Sequence, residues 1–338
     1  MTYRRSAVGF LALIAVLTSA QVSEPTQNPQ VPWPTGEVEV VSGSVPCDGE
    51  GCEIQVTCAN VAAPARAIVK VGIPTKAPAR GTILLMTGGA GTQLYEQEGG
   101  QRIVDELRAA GFHTAQLQWV DGWLWASPGE EAGHARLGCR PATVARWVHD
   151  NIHQKLPELA YCAAGGSGGA MQIGYMLTYY GLEEVLDTVV PDGGPPTGRI
   201  DLSCLRDDPD NEVMLFGIEN DGWNADWLMD GGFGYPLDGS GPCARGDTSF
   251  RDQFREASVA SGDGDYSYPR TLVWFLFGEN DEPNIKRGMT YHDLLIDSQS
   301  PLVRMDVLPG VGHSLHPHPL GADKILDILI NECRPRHE

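Results

Sequence analysis

Apolar and polar positions along this chain switch between two periods. Ile54–Thr57 and Ala67–Ile73 read as an opening pair of strands, and Thr82–Met86 is a short apolar run that ends in glycines. Thr114–Val120, Leu159–Ala164, Val185–Val190, Leu272–Phe277 and Val303–Leu308 are the further predicted strands. Several are unbroken apolar runs, the pattern of strands covered on both faces. Between them lie stretches with helical spacing. Arg102–Ala110 stops at Gly111, Pro141–Ile152 carries proline in its first turn, Gly169–Tyr180 stops at Gly181, and Ala322–Cys333 closes the chain. Strands alternating with helices predict an α/β class: a mostly parallel central sheet with helices on both faces.

Three stretches depart from this rhythm. Residues 1–20 combine Arg4 and Arg5, an apolar run from Ala7 to Leu17 and the small residues Thr18-Ser19-Ala20. That is the layout of a secretory signal peptide, and the apolar run is shorter than the ~20 residues that span a bilayer. A secreted or periplasmic location is expected, with no membrane span. Residues 21–36, rich in Pro, Gln and Thr, read as a flexible leader, and 37–338 as one domain. Residues 192–269 separate two predicted strands and are rich in Gly, Asp, Pro and Trp. A structureless loop of that length is improbable in a compact domain, so a cap or lid insertion is expected there.

The formal charge of −20 makes a surface that repels nucleic acid and anionic lipid. Eight cysteines all follow the predicted signal, an even count that in an exported chain favours disulfides. Cys47, Cys52 and Cys58 read as an N-terminal staple rather than a metal knuckle, because no second ligand cluster stands at zinc spacing. Within the insertion Cys204 and Cys243 are candidate partners, with Cys139 as a competitor. Cys162 falls inside an apolar strand and reads as a doubtful partner, a candidate buried free thiol.

The strongest chemical signal is Gly165-Gly166-Ser167-Gly168-Gly169, a G-x-S-x-G sequence between a predicted strand and a predicted helix. A nucleophile on such a junction needs a sharp, strained turn with small neighbours, and the helix dipole then favours negative charge beside it. A serine hydroxyl also needs a base. Gly312-His313-Ser314 directly follows the last strand and selects His313 among nine histidines, with His316 and His318 read as loop residues. An acid must orient the base. Asp281, in Gly278-Glu279-Asn280-Asp281-Glu282-Pro283, lies just past a strand, while Glu279, Glu282 and Asp192 are lower-ranked alternatives. Two backbone N–H donors for an oxyanion are expected from Gly168 and from Gly89 or Ala90 in Thr87-Gly88-Gly89-Ala90-Gly91.

The order TGGAG, GGSGG, GENDEP, GVGHS across residues 54–333 resembles that of the α/β-hydrolase superfamily. The resemblance implies the α/β-hydrolase fold and an acyl-enzyme mechanism on esters or, less often, amides. One departure is Thr87, which stands where such loops often carry histidine, so the loop is not the HGGG of many lipases and esterases. Trp119, Trp123 and Trp125 follow one strand, and Trp223, Trp227, Phe233 and Tyr235 lie in the insertion. Trp123, Trp125, Trp223 and Trp227 are candidates to line a substrate site, or to pack the insertion on the body. The expectation is a secreted serine carboxylesterase with Ser167, Asp281 and His313 as its triad. It needs neither cofactor nor metal and acts on a small or polymeric ester. A secreted serine peptidase and a non-catalytic ligand-binding homologue are the alternatives.

Overall fold

A computed structural model of the chain describes residues 31–153, 158–205 and 225–336. The predicted signal peptide, most of the leader and Trp223 lie outside the described residues. One nine-stranded sheet organises the rest, in the order β1-β2-β3-β5-β4-β6-β7-β8-β9. β1 (Glu37–Ser42), β2 (Cys52–Thr57) and β3 (Ala65–Gly72) form an antiparallel meander joined to β5 (Phe112–Trp119). From β5 through β4 (Gly81–Met86), β6 (Ala160–Gly166), β7 (Thr188–Asp192), β8 (Leu272–Gly278) and β9 (Val303–Leu308) every pairing is parallel.

Side chains of successive strand residues point to opposite faces, and the two cores divide accordingly. On one face Ile83 and Leu85 of β4 pack with Ile103 and Leu107 of α1 (Gln101–Ala109) and with Ile325 and Leu329 near the C-terminus. On the other, Leu84 and Met86 pack among residues of α3 and α4. Here α2 is Gly133–Leu137, α3 Cys139–Asn151 and α4 Gly168–Tyr180. The predicted elements are present, with ends shifted by a few residues. Several others, α2 among them, are not located by the sequence pattern. β1 was read as the start of the domain without a strand, its residues being mostly exposed at the sheet edge.

The β7–β8 connection carries α5 (Ile200–Cys204), α6 (Ala225–Gly232), α7 (Pro242–Arg245) and α8 (Arg251–Glu256). α9 (Glu282–Asp297) fills the β8–β9 crossover and α10 (Pro319–Glu332) follows β9. The interval between Asp281 and His313 has room for one helix and one strand, but the sequence pattern does not give the bounds of α9. That helix buries only Arg287, Gly288, Tyr291 and Leu295, too narrow an apolar stripe to stand out.

All eight cysteines are bridged: Cys47–Cys52, Cys58–Cys139, Cys162–Cys333 and Cys204–Cys243. Cys204 and Cys243 pair within the β7–β8 connection as expected. Cys162 corrects the sequence reading: it is no free thiol but joins β6 to the end of α10. A strand interior is compatible with a bridge here because the sheet face it points to is covered by that helix. Cys58 leaves the N-terminal staple for Cys139, tying the antiparallel meander to α3.

Candidate active site

β6 ends and α4 begins at Ser167, which alone makes the turn. Its backbone stands at φ 50°, ψ −107°, a region that a residue with a Cβ enters only under constraint. The constraint comes from both sides. Gly166 is in register with Asp192 of β7, and Ser167 N–H donates to the Asp192 carbonyl at 2.8 Å. On the helix side, a Cβ on Gly168 would stand 2.1 Å from the Gly89 carbonyl oxygen and 2.7 Å from Gly89 N. Only glycine lets α4 approach the Thr87–Gly91 loop this closely. The first N–H groups of a helix have no partner within it. Neither the Gly168 N–H, next to half-buried Ser167, nor the Gly89 N–H donates to a backbone carbonyl among the described residues.

The 88–91 loop is itself clamped. Gly91 N–H donates to the Gly88 carbonyl at 2.9 Å, Trp119 N–H to that of Gly91 at 2.8 Å, and Trp123 N–H to that of Ala90 at 3.1 Å. Gly88 N–H donates to Glu98 Oε2 at 3.2 Å. Gly89 takes φ +53°, a conformation that glycine adopts without strain. Of the two residues left open by the sequence, Gly89 is the one whose N lies against Gly168.

His313 lies on the loop after β9 and Asp281 just past β8, as their positions predicted. His313 Nδ1 and Asp281 Oδ2 are 2.7 Å apart, the imidazole being 39% and the carboxylate 6% exposed. A Cβ on Gly193, one residue past β7, would meet His313 Nδ1 at 3.3 Å. The ring thus sits over the end of the strand whose last carbonyl holds Ser167. The alternative acids have other roles. Glu279 accepts a hydrogen bond from Gly310 N–H at 2.8 Å, and Glu282 is the exposed first residue of α9. Asp192 is buried, and its Oδ2 has no hydrogen-bond partner among the described residues.

Residues not foreseen complete the neighbourhood. Asn284 Nδ2 donates to Asp281 Oδ1 at 2.8 Å and lies 3.1 Å from His313 Nδ1, while Arg287 Nη1 donates to Asn284 Oδ1 at 3.1 Å. Asp281, Asn284 and Arg287 recur every third residue, a spacing that puts them on one helical face. That was the available signal, hidden because the bounds of α9 do not follow from the pattern. His318 is the N-cap of α10, accepting from Leu320 N–H. His316 is also a loop residue, but a buried one: it is 7% exposed and its ring stands 4.8 Å from that of Tyr95.

The tryptophans separate into two groups. Trp123 has no exposed surface. Its ring lies 6.5 Å from that of His134 and 6.1 Å from that of Tyr175, and the buried Arg140 guanidinium holds the Trp123 and Trp125 carbonyls at 2.7 and 2.8 Å. Trp123 is thus body packing, not lining. Trp125 and Trp227 are half-buried and face residues of the β7–β8 connection, against Gly231 and Gly239 respectively.

No known protein family and no curated protein matches the sequence. Solved structures do match in shape. A lipase in its open form is 15% identical, with 83% of this chain and 97% of that chain covered and a TM-score of 0.54. An esterase of Pyrobaculum calidifontis is 16% identical over 88% of this chain and 84% of its own, with a TM-score of 0.53. An acylaminoacyl peptidase of Pyrococcus horikoshii is 8% identical over 90% of this chain, which spans only 43% of that longer enzyme, with a TM-score of 0.52. At such identities the likeness concerns the fold alone. That likeness, together with a mostly parallel sheet flanked by helices on both faces, gives this chain the α/β-hydrolase fold.

Proposed function

We propose that this chain is a serine hydrolase that cleaves carboxylic esters through an acyl-enzyme. The observation that carries the reading is the pairing of His313 with buried Asp281 at 2.7 Å, beside the strained strand–helix turn that presents Ser167. Ser167 Oγ attacks the ester carbonyl while His313 takes its proton through Nε2. Asp281 accepts from His313 Nδ1, which fixes the tautomer and stabilises the imidazolium. The Gly168 and Gly89 N–H groups hold the oxyanion. His313 then protonates the departing alcohol, and water enters by the reverse sequence to release the acid. The β7–β8 connection acts as the cap, with Trp125, Trp227 and Trp223 as candidate acyl contacts. Four disulfides and the signal-like residues 1–20 support a secreted or periplasmic enzyme.

One observation favours a second reading, cleavage of a peptide or amide. The half-buried Glu98 carboxylate stands at Gly88 N–H, next to the nucleophile loop, where it could hold a substrate amine. A panel of aryl esters and aminoacyl anilides, run on the wild type and on Ser167→Ala, decides between them. Ester turnover and fluorophosphonate labelling, both lost in the variant, support the esterase. Anilide turnover at comparable kcat/KM supports the peptidase. Unchanged activity in Ser167→Ala refutes both.

A further inference from the structure

Behind the Ser167 turn lies a buried layer of ionisable side chains that the proposed mechanism leaves unused. A Cβ on Gly166 would meet Asp192 Oδ1 at 2.9 Å and His316 Nδ1 at 3.2 Å. Both groups therefore lean on one Cα, that of the residue preceding Ser167. Asp192 is 1% and His316 7% exposed, and both Asp192 Oδ2 and His316 Nδ1 lack a hydrogen-bond partner among the described residues. Buried polar atoms in native proteins are rarely left in that condition.

The protons can be placed from chemistry. His316 Nε2 lies 2.9 Å from the carbonyl oxygen of Glu98. A carbonyl only accepts, so Nε2 carries the hydrogen. Burial pushes His316 down to about 4, which keeps the ring neutral and leaves Nδ1 as a lone pair. A lone pair needs a donor. Asp192 stands beyond direct hydrogen-bond reach of it, so a bridging water serves as the donor, and Asp192, buried with no cation paired to it among the described residues, joins that bridge as a neutral acid. Burial pushes Asp192 up to about 7, opposed by His313 and reinforced by Glu98. The groups facing Asp192 are His313 and His316 from the loop after β9, with Tyr95 and Glu98 from the segment before α1. Asp281 at the end of β8 is already bound to His313.

We infer that Asp192 is a neutral carboxylic acid linked to His316 Nδ1 across one water, and that this pair positions the catalytic turn. The inference rests on reading Ser167 and His313 as nucleophile and base. The pair joins three pieces of the site. Asp192 holds Ser167 through its carbonyl, and His316 lies three residues after His313 on the same loop. Glu98 ties His316 to the Gly88 end of the oxyanion loop. Asp192 is a positioning residue, distinct from the acid that orients His313. Its ionisation would set an uncompensated buried anion behind the Ser167 turn, so turnover falls as pH rises through the Asp192 titration.

The test compares Asp192→Asn, Asp192→Ala and His316→Phe with the wild type. The readouts are kcat and KM for p-nitrophenyl acetate across pH, melting temperature, and imidazole ¹⁵N shifts of His316. A carboxamide donates the same hydrogen bond as the acid. Asp192→Asn is therefore expected to keep kcat within about threefold of wild type at mildly acidic pH and to lose the alkaline decline. Asp192→Ala and His316→Phe lose about tenfold or more in kcat with KM little changed, the size expected for one buried hydrogen bond. If either fails to fold, the Asn variant and its pH profile still decide. The ¹⁵N shifts should show a neutral Nε2–H tautomer whose Nδ1 is hydrogen-bonded, in Ser167→Ala as in wild type. Three results overturn the inference: Asp192→Asn as inactive as Asp281→Asn, a pH profile unchanged by Asp192→Asn, or an Nδ1–H tautomer of His316. If the wild type neither turns over the ester nor labels at Ser167, the functional reading fails. The ¹⁵N tautomer then still tests the pair on its own.

Discussion

His313 and His316 stand on one loop, three residues apart, and the protein treats them in opposite ways. His313 is 39% exposed and faces a carboxylate at 2.7 Å. His316 is buried, stacked on Tyr95 and bound through Nε2 to a backbone carbonyl, with its basicity lowered by burial. A charged partner within reach of water lets an imidazole gain and lose a proton during a reaction. Deep burial against a backbone carbonyl, even with the Glu98 carboxylate 3.6 Å from Nε2, holds it in one protonation state. The same side chain is a candidate base on the open side of the Ser167 turn and a fixed strut on the buried side.

The largest effects are expected on the open side. Ser167→Ala should abolish fluorophosphonate labelling and cut kcat by about 10⁶-fold, while the melting temperature stays within error of wild type. Residual turnover near the wild-type level would remove Ser167 from the chemistry. Asp281→Asn keeps the shape but reverses the tautomer preference of His313, and kcat should fall by about 10⁴-fold with KM little altered. An intact kcat would place the acid elsewhere and erase the contrast between the two sides.

The buried side answers in stability. Gly166→Ala inserts a methyl 2.9 Å from Asp192 Oδ1 and 3.2 Å from His316 Nδ1, and should cost about 1–3 kcal/mol in urea unfolding. A neutral result would mean that this layer is loosely packed. The smallest effect is in pH. The folded-state pKa of His316 lies near 4, below its ordinary value of 6.5. Its contribution to stability is therefore full above pH 6.5 and is lost as pH falls toward 4, at about 1.4 kcal/mol per pH unit. His316→Gln should flatten the stability–pH curve in that window, whereas His313→Gln should leave it in place.

Local signals carried most of the framework. Unbroken apolar runs marked β4, β6 and β8 because a strand covered on both faces cannot afford polar positions. Glycines bracketing Ser167 located the turn, because a chain that bends so sharply against a neighbouring loop excludes a Cβ. Strand ends then indicated Asp281 and His313 without any contact being known. The bounds of α9 escaped because its buried stripe is narrow, and Asn284 and Arg287 escaped with them. Trp123 was read with its neighbours as one aromatic set, since sequence does not say which ring faces inward.

What the sequence settled by itself was therefore the alternation of elements, the turn at Ser167 and the order of the candidate residues behind it. These are encoded in periodicity and in residues whose conformational limits are local. Only the tertiary structure decided which cysteines meet, that His313 pairs with Asp281 rather than Asp192, and that His316 lies buried against Gly166. Each of those depends on distances between segments far apart in the chain. The burial that shifts Asp192 and His316 is likewise a property of the packed molecule, since desolvation comes from every element that surrounds a group and not from its neighbours in sequence.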